Sequence, residues 1–510
     1  MHANRKDLNQ QSTLAACAVT IATITGICGA ATTARAERGE IPVLQQVTRN
    51  TTGEVSDVGL RSELADWITF TSNGDVLGPG TETTGREIYI YNTVTGTTTK
   101  VTTTPGGESY SGSRVSDATF ASGRPNSLVF ASTGDFDPTR GNADHNPEIF
   151  VYDVDSGAIH QVTDTLPPVV NSEPFASDSA RCIAFASNAN LDNNPGNIEG
   201  NPGAGFKNPD GSREIFSYEV DADSNLFPYA GVYTQVSNGP AGTTSEAPTM
   251  GGYIWGRQCQ TVAYLSNHAQ LGDAIAGTNI YFYDRTSADI ARMTTGERPS
   301  DGGIAPAGVY GPPKMSNASN FARGPYIVFS TAADVWNNGN NSLEAFRFRV
   351  FHPRMTQYTG IDPGDVFDPQ ISDGGGYIVF GSNGELLNEK HGAKDVGPGP
   401  FNADQNEEIF QLRGRRKVWQ ITNSLGCDSY EPSIQDNGSG IAFISTCDLV
   451  PGNNPTGIPQ VFFFRRVKSD DAVLHPGNCD VLDGCCDEAN GCYTDLRGLA
   501  SRPPKRNDLD

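Results

Sequence analysis

The sequence predicts an all-β fold, a seven-bladed β-propeller of four-stranded antiparallel blades whose ring is closed by the N-terminal strand. Three observations predict it: a composition made for turns, a repeat that runs along the chain, and an offset between the first and last strands. The 510 residues include 57 Gly and 32 Pro with frequent Thr, Ser and Asn, which marks many short elements between turns rather than long helices. Apolar residues make up 36% and gather in short runs, so a core can form and the composition is not that of a disordered chain.

The repeat has three parts. The first is an apolar run ending in a small residue: Ile68 to Ser72, Leu128 to Ser132, Ile183 to Ser187, Val262 to Ser266, Ile327 to Thr331, Ile378 to Ser382 and Ile441 to Ser445. Each reads as a buried strand. The second is an aromatic-rich run that starts at Glu87, Glu148, Glu214, Asn279, Glu344, Glu408 and Gln460, at successive spacings of 61, 66, 65, 65, 64 and 52 residues. A period this regular over most of the chain indicates a repeat architecture. The third is a short strand of Val-Thr type ending at Thr48, Thr102, Thr163, Ser237, Thr294, Thr359 and Thr422.

The offset lies in this third part. Its first copy, Gln45-Gln46-Val47-Thr48, precedes every strand pair, whereas the last pair, residues 441–465, has none after it. In a ring, strand 45–48 completes the last blade, residues 431–467, and removes the open edges that invite aggregation. A linear solenoid has no use for such an offset. The propeller is therefore expected to occupy residues 37–467.

Segments such as Ile371-Ser372-Asp373-Gly374-Gly375-Gly376-Tyr377-Ile378-Val379-Phe380, Glu408-Ile409-Phe410 and Trp419-Gln420-Ile421-Thr422 resemble the WD-like propeller repeats of the TolB periplasmic protein family. The resemblance covers residues 41–467, the propeller portion of that family only. It implies four antiparallel strands per blade, with an innermost strand ending near the Ser-Asp-Gly turn, the two runs next, and the Val-Thr strand outermost.

Residues 1–36 read as a signal peptide: Arg5 and Lys6, an uncharged stretch from Leu14 to about Thr33, then Ala34-Arg35-Ala36 as the cleavage site. Leu14-Ala15-Ala16-Cys17 has the letters of a lipoprotein box, but polar residues precede it. No later segment has the roughly 20 apolar residues that span a bilayer. The expectation is a secreted protein, periplasmic or extracellular, with no membrane span. Without residues 1–36 the chain keeps 33 Lys and Arg against 58 Asp and Glu, a formal charge of −25. Such acidity repels phosphate backbones and excludes nucleic acid as a partner. It serves solubility or recruits cations.

Loops between the first and second runs, and between blades, open on one face. The longest are 188–212 and 295–313, and function on rigid scaffolds tends to sit in such loops. Three of them share Asn-x-Asp-x-[Asn/Ser]-x-Glu. The residues are Asn142, Asp144, Asn146 and Glu148, with Asp135 and Asp137 nearby; then Asn208, Asp210, Ser212 and Glu214; then Asn402, Asp404, Asn406 and Glu408. Alternating side-chain oxygens on a tight loop are what Ca²⁺ requires, so these are candidate calcium ligands, although the EF-hand spacing is not reproduced. The competing reading has Asn and Asp shaping the turn while Glu anchors the loop.

Eight of the ten cysteines follow the signal segment, an even number suited to an oxidising compartment. Cys427 enters the last blade and Cys447 follows its strand 441–445, so a hairpin about Asp436-Asn437-Gly438 brings them to one rim as a disulfide. Cys479, Cys485, Cys486 and Cys492 lie in a Gly- and Asp-rich tail, 468–510, where two disulfides of open connectivity are expected in place of a core. Zinc is the alternative there. Cys182 and Cys259 begin equivalent strands of adjacent blades, as a disulfide or as free thiols.

The sequence holds no Gly-x-Ser-x-Gly elbow, no His-Glu-x-x-His pair and no Gly-x-x-x-x-Gly-Lys loop. Two functions are carried forward. One is a non-catalytic binding or scaffold propeller of the cell envelope, holding a protein, peptide or glycan on its loop-rich face. The other is a carbohydrate-active enzyme, lyase- or hydrolase-like, at the central channel, with His268 and His391 on the loop-bearing side. An enzyme would gather at least two His or carboxylate groups with a basic residue at the channel mouth; a channel of backbone, Ser, Thr and apolar groups would favour binding.

Overall fold

The computed structural model describes residues 40–468 apart from 62–63, 105–106, 112–125, 178–180, 192–207, 221–230, 252–260, 269–276, 286–288, 294–310, 317–324, 333–341, 351–353, 362–363, 385, 387–401, 403 and 415–416. The chain opens with β1 (Glu40–Gln46). Blade 1 follows as β2 (Val55–Leu60), β3 (Trp67–Ser72), β4 (Glu87–Asn92) and β5 (Thr97–Lys100). Blade 2 has β6 (Ser109–Ser111), β7 (Ser127–Ser132), β8 (Glu148–Asp153) and β9 (Ile159–Gln161), and blade 3 has β10 (Asn171–Ala176), β11 (Cys182–Ser187), β12 (Glu214–Val220) and β13 (Gly231–Gln235). Blade 4 has β14 (Ser245–Gly251), β15 (Thr261–Ser266), β16 (Asn279–Asp284) and β17 (Asp289–Arg292). Blade 5 has β18 (Lys314–Met315), β19 (Tyr326–Thr331), β20 (Glu344–Arg349) and β21 (Arg354–Gln357), and blade 6 has β22 (Val366–Ile371), β23 (Tyr377–Ser382), β24 (Glu408–Arg413) and β25 (Lys417–Gln420). Blade 7 joins β26 (Ser429–Ile434), β27 (Gly440–Ser445) and β28 (Gln460–Lys468) to β1, in the order β1-β28-β27-β26.

All seven blades are four-stranded and antiparallel. The second and third strands of each blade face an aromatic pair at one directly opposed position. Examples are Phe70 with Tyr89 (ring centroids 5.5 Å apart), Phe130 with Phe150 (5.4 Å) and Phe443 with Phe462 (5.8 Å), all stacked. Such pairs add about 0.5–1.5 kcal/mol beyond the area they bury. The apolar clusters lie between blades. One joins Val379 and Ile409 of blade 6 to Ile441, Phe443 and Phe462 of blade 7, and another joins Ala442, Ile444 and Phe463 of blade 7 to Leu60, Ile68 and Phe70 of blade 1. The ring thus closes through packed side chains as well as through the β1–β28 ladder.

The residue at the head of the third strand and the recurring Thr or Ser meet in six blades. The carboxylate of Glu87 accepts from the Thr102 hydroxyl (2.6 Å) and the Thr104 amide (2.6 Å), while Thr102 Oγ1 accepts from the Ile88 amide (2.9 Å). The same arrangement joins Glu344 to Thr359 and the Ile361 amide, and Glu214 to Ser237 and the Gly239 amide. In blade 7 the pair crosses the closure: Thr48 donates to Gln460 Oε1 (2.8 Å) and accepts from the Val461 amide (2.9 Å).

Two sequence expectations need correcting. The closing strand is β1 at 40–46, not 45–48, and its blade starts at Ser429 rather than 431 and ends at Lys468. The nine-residue β28 draws the ladder back as far as Glu40↔Lys468. The Val-Thr residues also lie beyond the outer strands, two residues past their ends in six blades, because there the hydroxyl of Thr or Ser takes over from the backbone ladder. Thr294 of blade 4 is outside the described residues.

The Cys427–Cys447 disulfide is present, with Cα atoms 5.4 Å apart. Cys182 is buried and disulfide-bonded. Residues 1–36, Cys259, Cys479, Cys485, Cys486 and Cys492, and most of loops 188–212 and 295–313, lie outside the described residues. Among the described residues no helix is long and apolar enough to cross a membrane.

Candidate functional site at the channel mouth

The first strand of each blade lies on the inside of the ring, against the first strands of neighbouring blades. Five of these strands, β2, β10, β14, β22 and β26, carry the same irregularity: their register with the second strand slips after the second residue. At each slip the third residue is left-handed: Asp57 (φ 56°), Glu173 (52°), Ala247 (50°), Asp368 (43°) and Glu431 (49°). Residues with side chains adopt this conformation rarely and at a cost of order 1–3 kcal/mol, so its repetition marks a built feature. Four of the five are carboxylates. Together they form an acidic ring near the end of the channel where the loop-bearing face opens.

The ring is stitched blade to blade. Glu431 Oε2 accepts from the Asp57 amide (2.8 Å), and Glu173 Oε2 accepts from the Ala247 amide (2.7 Å), so each carboxylate holds the kinked backbone of the following blade. Ser433 Oγ adds a bond from the Leu60 amide (2.9 Å), and Asp57 takes one from Thr71 Oγ1 (2.9 Å).

A second tier of charge comes from the residue just before the third strand. In blade 1 it is Arg86, which donates to Ser56 Oγ (3.1 Å) and lies 3.5 Å from Glu54. In blade 3 it is Arg213, paired with Glu173 at 2.8 Å and donating to Ser172 Oγ (2.9 Å). In blade 6 the same position holds Glu407, whose neighbours are Asp368, Asp428 and Glu431. Gly381 makes space for it, since a Cβ there would come within 2.2 Å of Glu407 Oε1. Where blades 1 and 3 set a guanidinium beside the ring, blade 6 sets a further carboxyl among carboxyls.

Electrostatics follow from this crowding. Enclosure by protein and then repulsion from Asp368, Asp428 and Glu431 push the Glu407 carboxyl up to about 8. Enclosure and the charge of Asp57 push Glu431 up to about 7. Asp57 is also raised, chiefly by burial. Lys314 of β18 is the ammonium of this ring; burial lowers its pKa, while Asp368, Glu173, Asp57 and Glu431 act in the opposite direction. The described mouth is therefore rich in carboxyl groups, most crowded over blades 6, 7 and 1, where crowding favours protons or another cation.

Sequence reasoning missed this ring, although a signal was there. Asp or Glu followed by Pro stands ten residues before Ile183, Ile378 and Ile441, as Glu173-Pro174, Asp368-Pro369 and Glu431-Pro432.

The loop motifs fall in two groups of contacts. Asn142, Asn208 and Asn402 staple their loops: each donates to the carbonyl four residues on (2.9, 2.7 and 2.6 Å) and to one at the end of the second strand (3.2, 3.3 and 3.3 Å). Asn454 makes the same staple to Ile458 O (2.8 Å) in blade 7, a fourth copy that the motif did not reveal. Glu148 accepts from Asn146, Thr165 and Asn171 (2.6–2.9 Å); Glu214 accepts from Ser212 (3.0 Å); Glu408 accepts from Asn406 (2.8 Å) and Ser424 (2.6 Å). Burial raises the pKa of all three glutamates. Asp135 accepts from the Asn142 amide, and Asp137 from Thr139 and the Gln161 amide. Asp144, Asp210 and Asp404 are exposed, Asp210 accepting from Ser212 and Asp404 from the Gly426 amide. Among the described residues no three of His, Cys, Asp and Glu stand close enough to hold one metal ion. His268 is described on the loop-bearing side; His391 is outside the described residues.

No family model matches the chain, and no curated protein matches it. Solved structures do. An oligogalacturonate lyase from Vibrio parahaemolyticus is 11% identical over 83% of this chain and 97% of its own, with a TM-score of 0.44. A TolB from Acinetobacter baumannii is 11% identical over 83% of this chain and 79% of its own, with a TM-score of 0.34. A Pyrococcus horikoshii acylaminoacyl peptidase is 10% identical over 78% of this chain and 50% of its own, with a TM-score of 0.41. Likeness at this level carries no information about ligand or chemistry.

Proposed function

We propose that the protein is a secreted, non-catalytic binding propeller of the cell envelope, periplasmic or extracellular. It holds an envelope or extracellular protein, peptide or glycan on its loop-rich face, and the acidic mouth selects a positively charged group on that partner. The observation that carries this reading is Glu407, standing where Arg86 and Arg213 set a guanidinium beside the ring in other blades, among Asp368, Asp428 and Glu431. A narrow opening lined by one sign of charge focuses the field on a complementary ligand. Two of the ring carboxylates, Glu431 and Glu173, are pinned by backbone amides of the next blade, which suits fixed acceptors. The disulfides and the N-terminal segment support an oxidising compartment. We assign the Asn-Asp-Glu loops to turn closure rather than calcium, because their glutamates face N–H and O–H donors.

A second reading, a carbohydrate-active enzyme, is favoured by the feature set out for it from the sequence, several carboxyls gathered with a basic residue, Lys314, at the channel mouth. Glu431, raised to about 7, acts on Lys314, and Glu407, raised to about 8, stands next to Glu431, which is a grouping expected of acid–base chemistry at a channel mouth. Calorimetric titration with an oligolysine, a neutral Gly-Ser and an oligoglutamate peptide, beside incubation with a panel of neutral and acidic polysaccharides, separates the two. Salt-sensitive binding of oligolysine alone, with every polysaccharide intact, supports the binding propeller. New reducing or unsaturated ends that vanish in Glu431→Gln would replace it with the enzyme.

A further inference from the structure

The rim of the mouth has an outer tier, and one blade departs from its pattern. The residue just before each first strand donates its amide to the side chain that follows the second strand, at 2.7–3.1 Å in all six blades where it is described. That shared bond puts the six residues at equivalent places around the opening. Four are carboxylates, Glu54, Glu108, Asp365 and Asp428, and blade 4 has Thr244. Blade 3 has Val170, 43% exposed.

Val170 ends a run of five apolar residues, Leu166-Pro167-Pro168-Val169-Val170, in which Leu166 is 76% exposed and both prolines are exposed. Local geometry does not require them. The connection from blade 3 to blade 4 makes the same turn with Pro240-Ala241-Gly242-Thr243-Thr244: Thr243 N–H donates to Pro240 O at 3.1 Å, as Val169 N–H does to Leu166 O at 3.1 Å. Nor is the run loose. Thr165 at its base donates its amide and hydroxyl to Glu148 Oε1 (2.7 and 2.6 Å), and the prolines restrict the chain further. An exposed apolar run of this length is a liability unless something binds it. Tyr110 widens the surface: opposite Ala131 in blade 2, it holds the place that Ser172, opposite Ala186, holds in blade 3, and it is 42% exposed.

In a ring of seven, blades 2 and 3 lie across the opening from blade 6, where Glu407 stands among Asp368, Asp428 and Glu431. On the near side the ring carboxylate, Glu173, is paired with Arg213 at 2.8 Å. The mouth is thus crowded with carboxyls on one side and has an apolar ledge on the other. Building on the reading that the mouth selects a cation, we propose that its partner is a protein segment with a basic side chain at one end and branched or aromatic side chains at the other. The basic group reaches Glu407 and Asp428, and the apolar side chains lie on Tyr110, Leu166 and Val170. An anionic membrane would meet the carboxyls of the rim, and a second copy would set two carboxyl-rich mouths against each other, so charge disfavours both.

The full chain is titrated by calorimetry with peptides that carry an oligolysine block, a Gly-Ser spacer of graded length, and either Leu-Phe-Leu or Ser-Ser-Ser. At the best spacer the Leu-Phe-Leu peptide is expected to bind about tenfold or more tighter than its Ser-Ser-Ser counterpart. Leu166→Ser with Val170→Ser should abolish that advantage, leave the Ser-Ser-Ser peptide unchanged and keep the melting temperature, since both side chains are exposed. Tyr110→Ser, on a separate blade, should reduce the advantage as well. Equal affinities at every spacer length, or an advantage that survives in the double variant, would overturn the ledge and leave the charged mouth standing. Failure of both peptides to bind, or equally tight binding with oligoglutamate in place of oligolysine, would sink the charge reading itself and this inference with it.

Discussion

Replacing Thr48 by Val tests the closure at one atom. Thr48 is buried, and its hydroxyl donates to Gln460 Oε1 at 2.8 Å and accepts from the Val461 amide at 2.9 Å. Valine keeps the shape but removes both bonds. Gln460 Oε1 keeps the Asn50 amide at 3.0 Å, so its loss is partial. The Val461 N–H has its acceptor removed, and a buried donor left unpaired costs about 1–3 kcal/mol. The expected destabilisation of Thr48→Val is therefore about 1–3 kcal/mol. Thr422→Val in blade 6 is the control, because Thr422 Oγ1 accepts the Ile409 amide at 2.8 Å in the same way within a continuous blade. Urea unfolding by tryptophan fluorescence gives the energies, and amide exchange locates the change: Thr48→Val should speed exchange in β28 and β1, Thr422→Val in β24. A loss below about 0.5 kcal/mol for Thr48→Val, or faster exchange elsewhere with β28 untouched, would refute the side-chain closure.

Further expectations concern the staple, the titrating carboxyls and the loops. Cys427→Ser with Cys447→Ser, which opens a link across 20 residues, should cost about 3 kcal/mol, read as a lower melting temperature. Glu407 and Glu431 titrate at about 8 and about 7 in the folded chain, above the ordinary glutamate range, so the folded state holds protons that the unfolded state has lost. Stability should be fully present below the unfolded glutamate value and fall as pH rises toward 8. Glu407→Gln should flatten that fall and stabilise the protein at pH 8 but not at pH 4; an unchanged slope would remove the assigned crowding. Added Ca²⁺ or chelator should leave the melting temperature unmoved, and a rise with Ca²⁺ would restore Asp144, Asp210, Asp404 and their neighbours as ligands.

The blade frame was legible because its signals are local. Each second run starts a strand at the residue read from the sequence, since Glu87, Glu148 and their counterparts must stand at the strand head to reach the following Thr. The first runs begin one residue earlier than their apolar pattern, because Trp67, Ser127, Cys182 and Gly440 do not extend one hydrophobic signature. The acidic ring was not legible. Its bulge breaks the alternation by which strands are read, Ala247 carries no carboxylate, and Asp57 is followed by Val rather than Pro.

The measurement closest to the central claim uses the structure's own template. Glu407→Arg places in blade 6 the residue type that already stands at this position in blades 1 and 3, where it faces Glu54 at 3.5 Å and Glu173 at 2.8 Å. The variant should fold at least as stably as the parent, by relieving repulsion with Asp368, Asp428 and Glu431. Its affinity for oligolysine, titrated at low and high salt, should fall about tenfold or more, and the salt dependence should flatten. Oligolysine binding unchanged in Glu407→Arg would contradict an acidic mouth that selects its partner by charge.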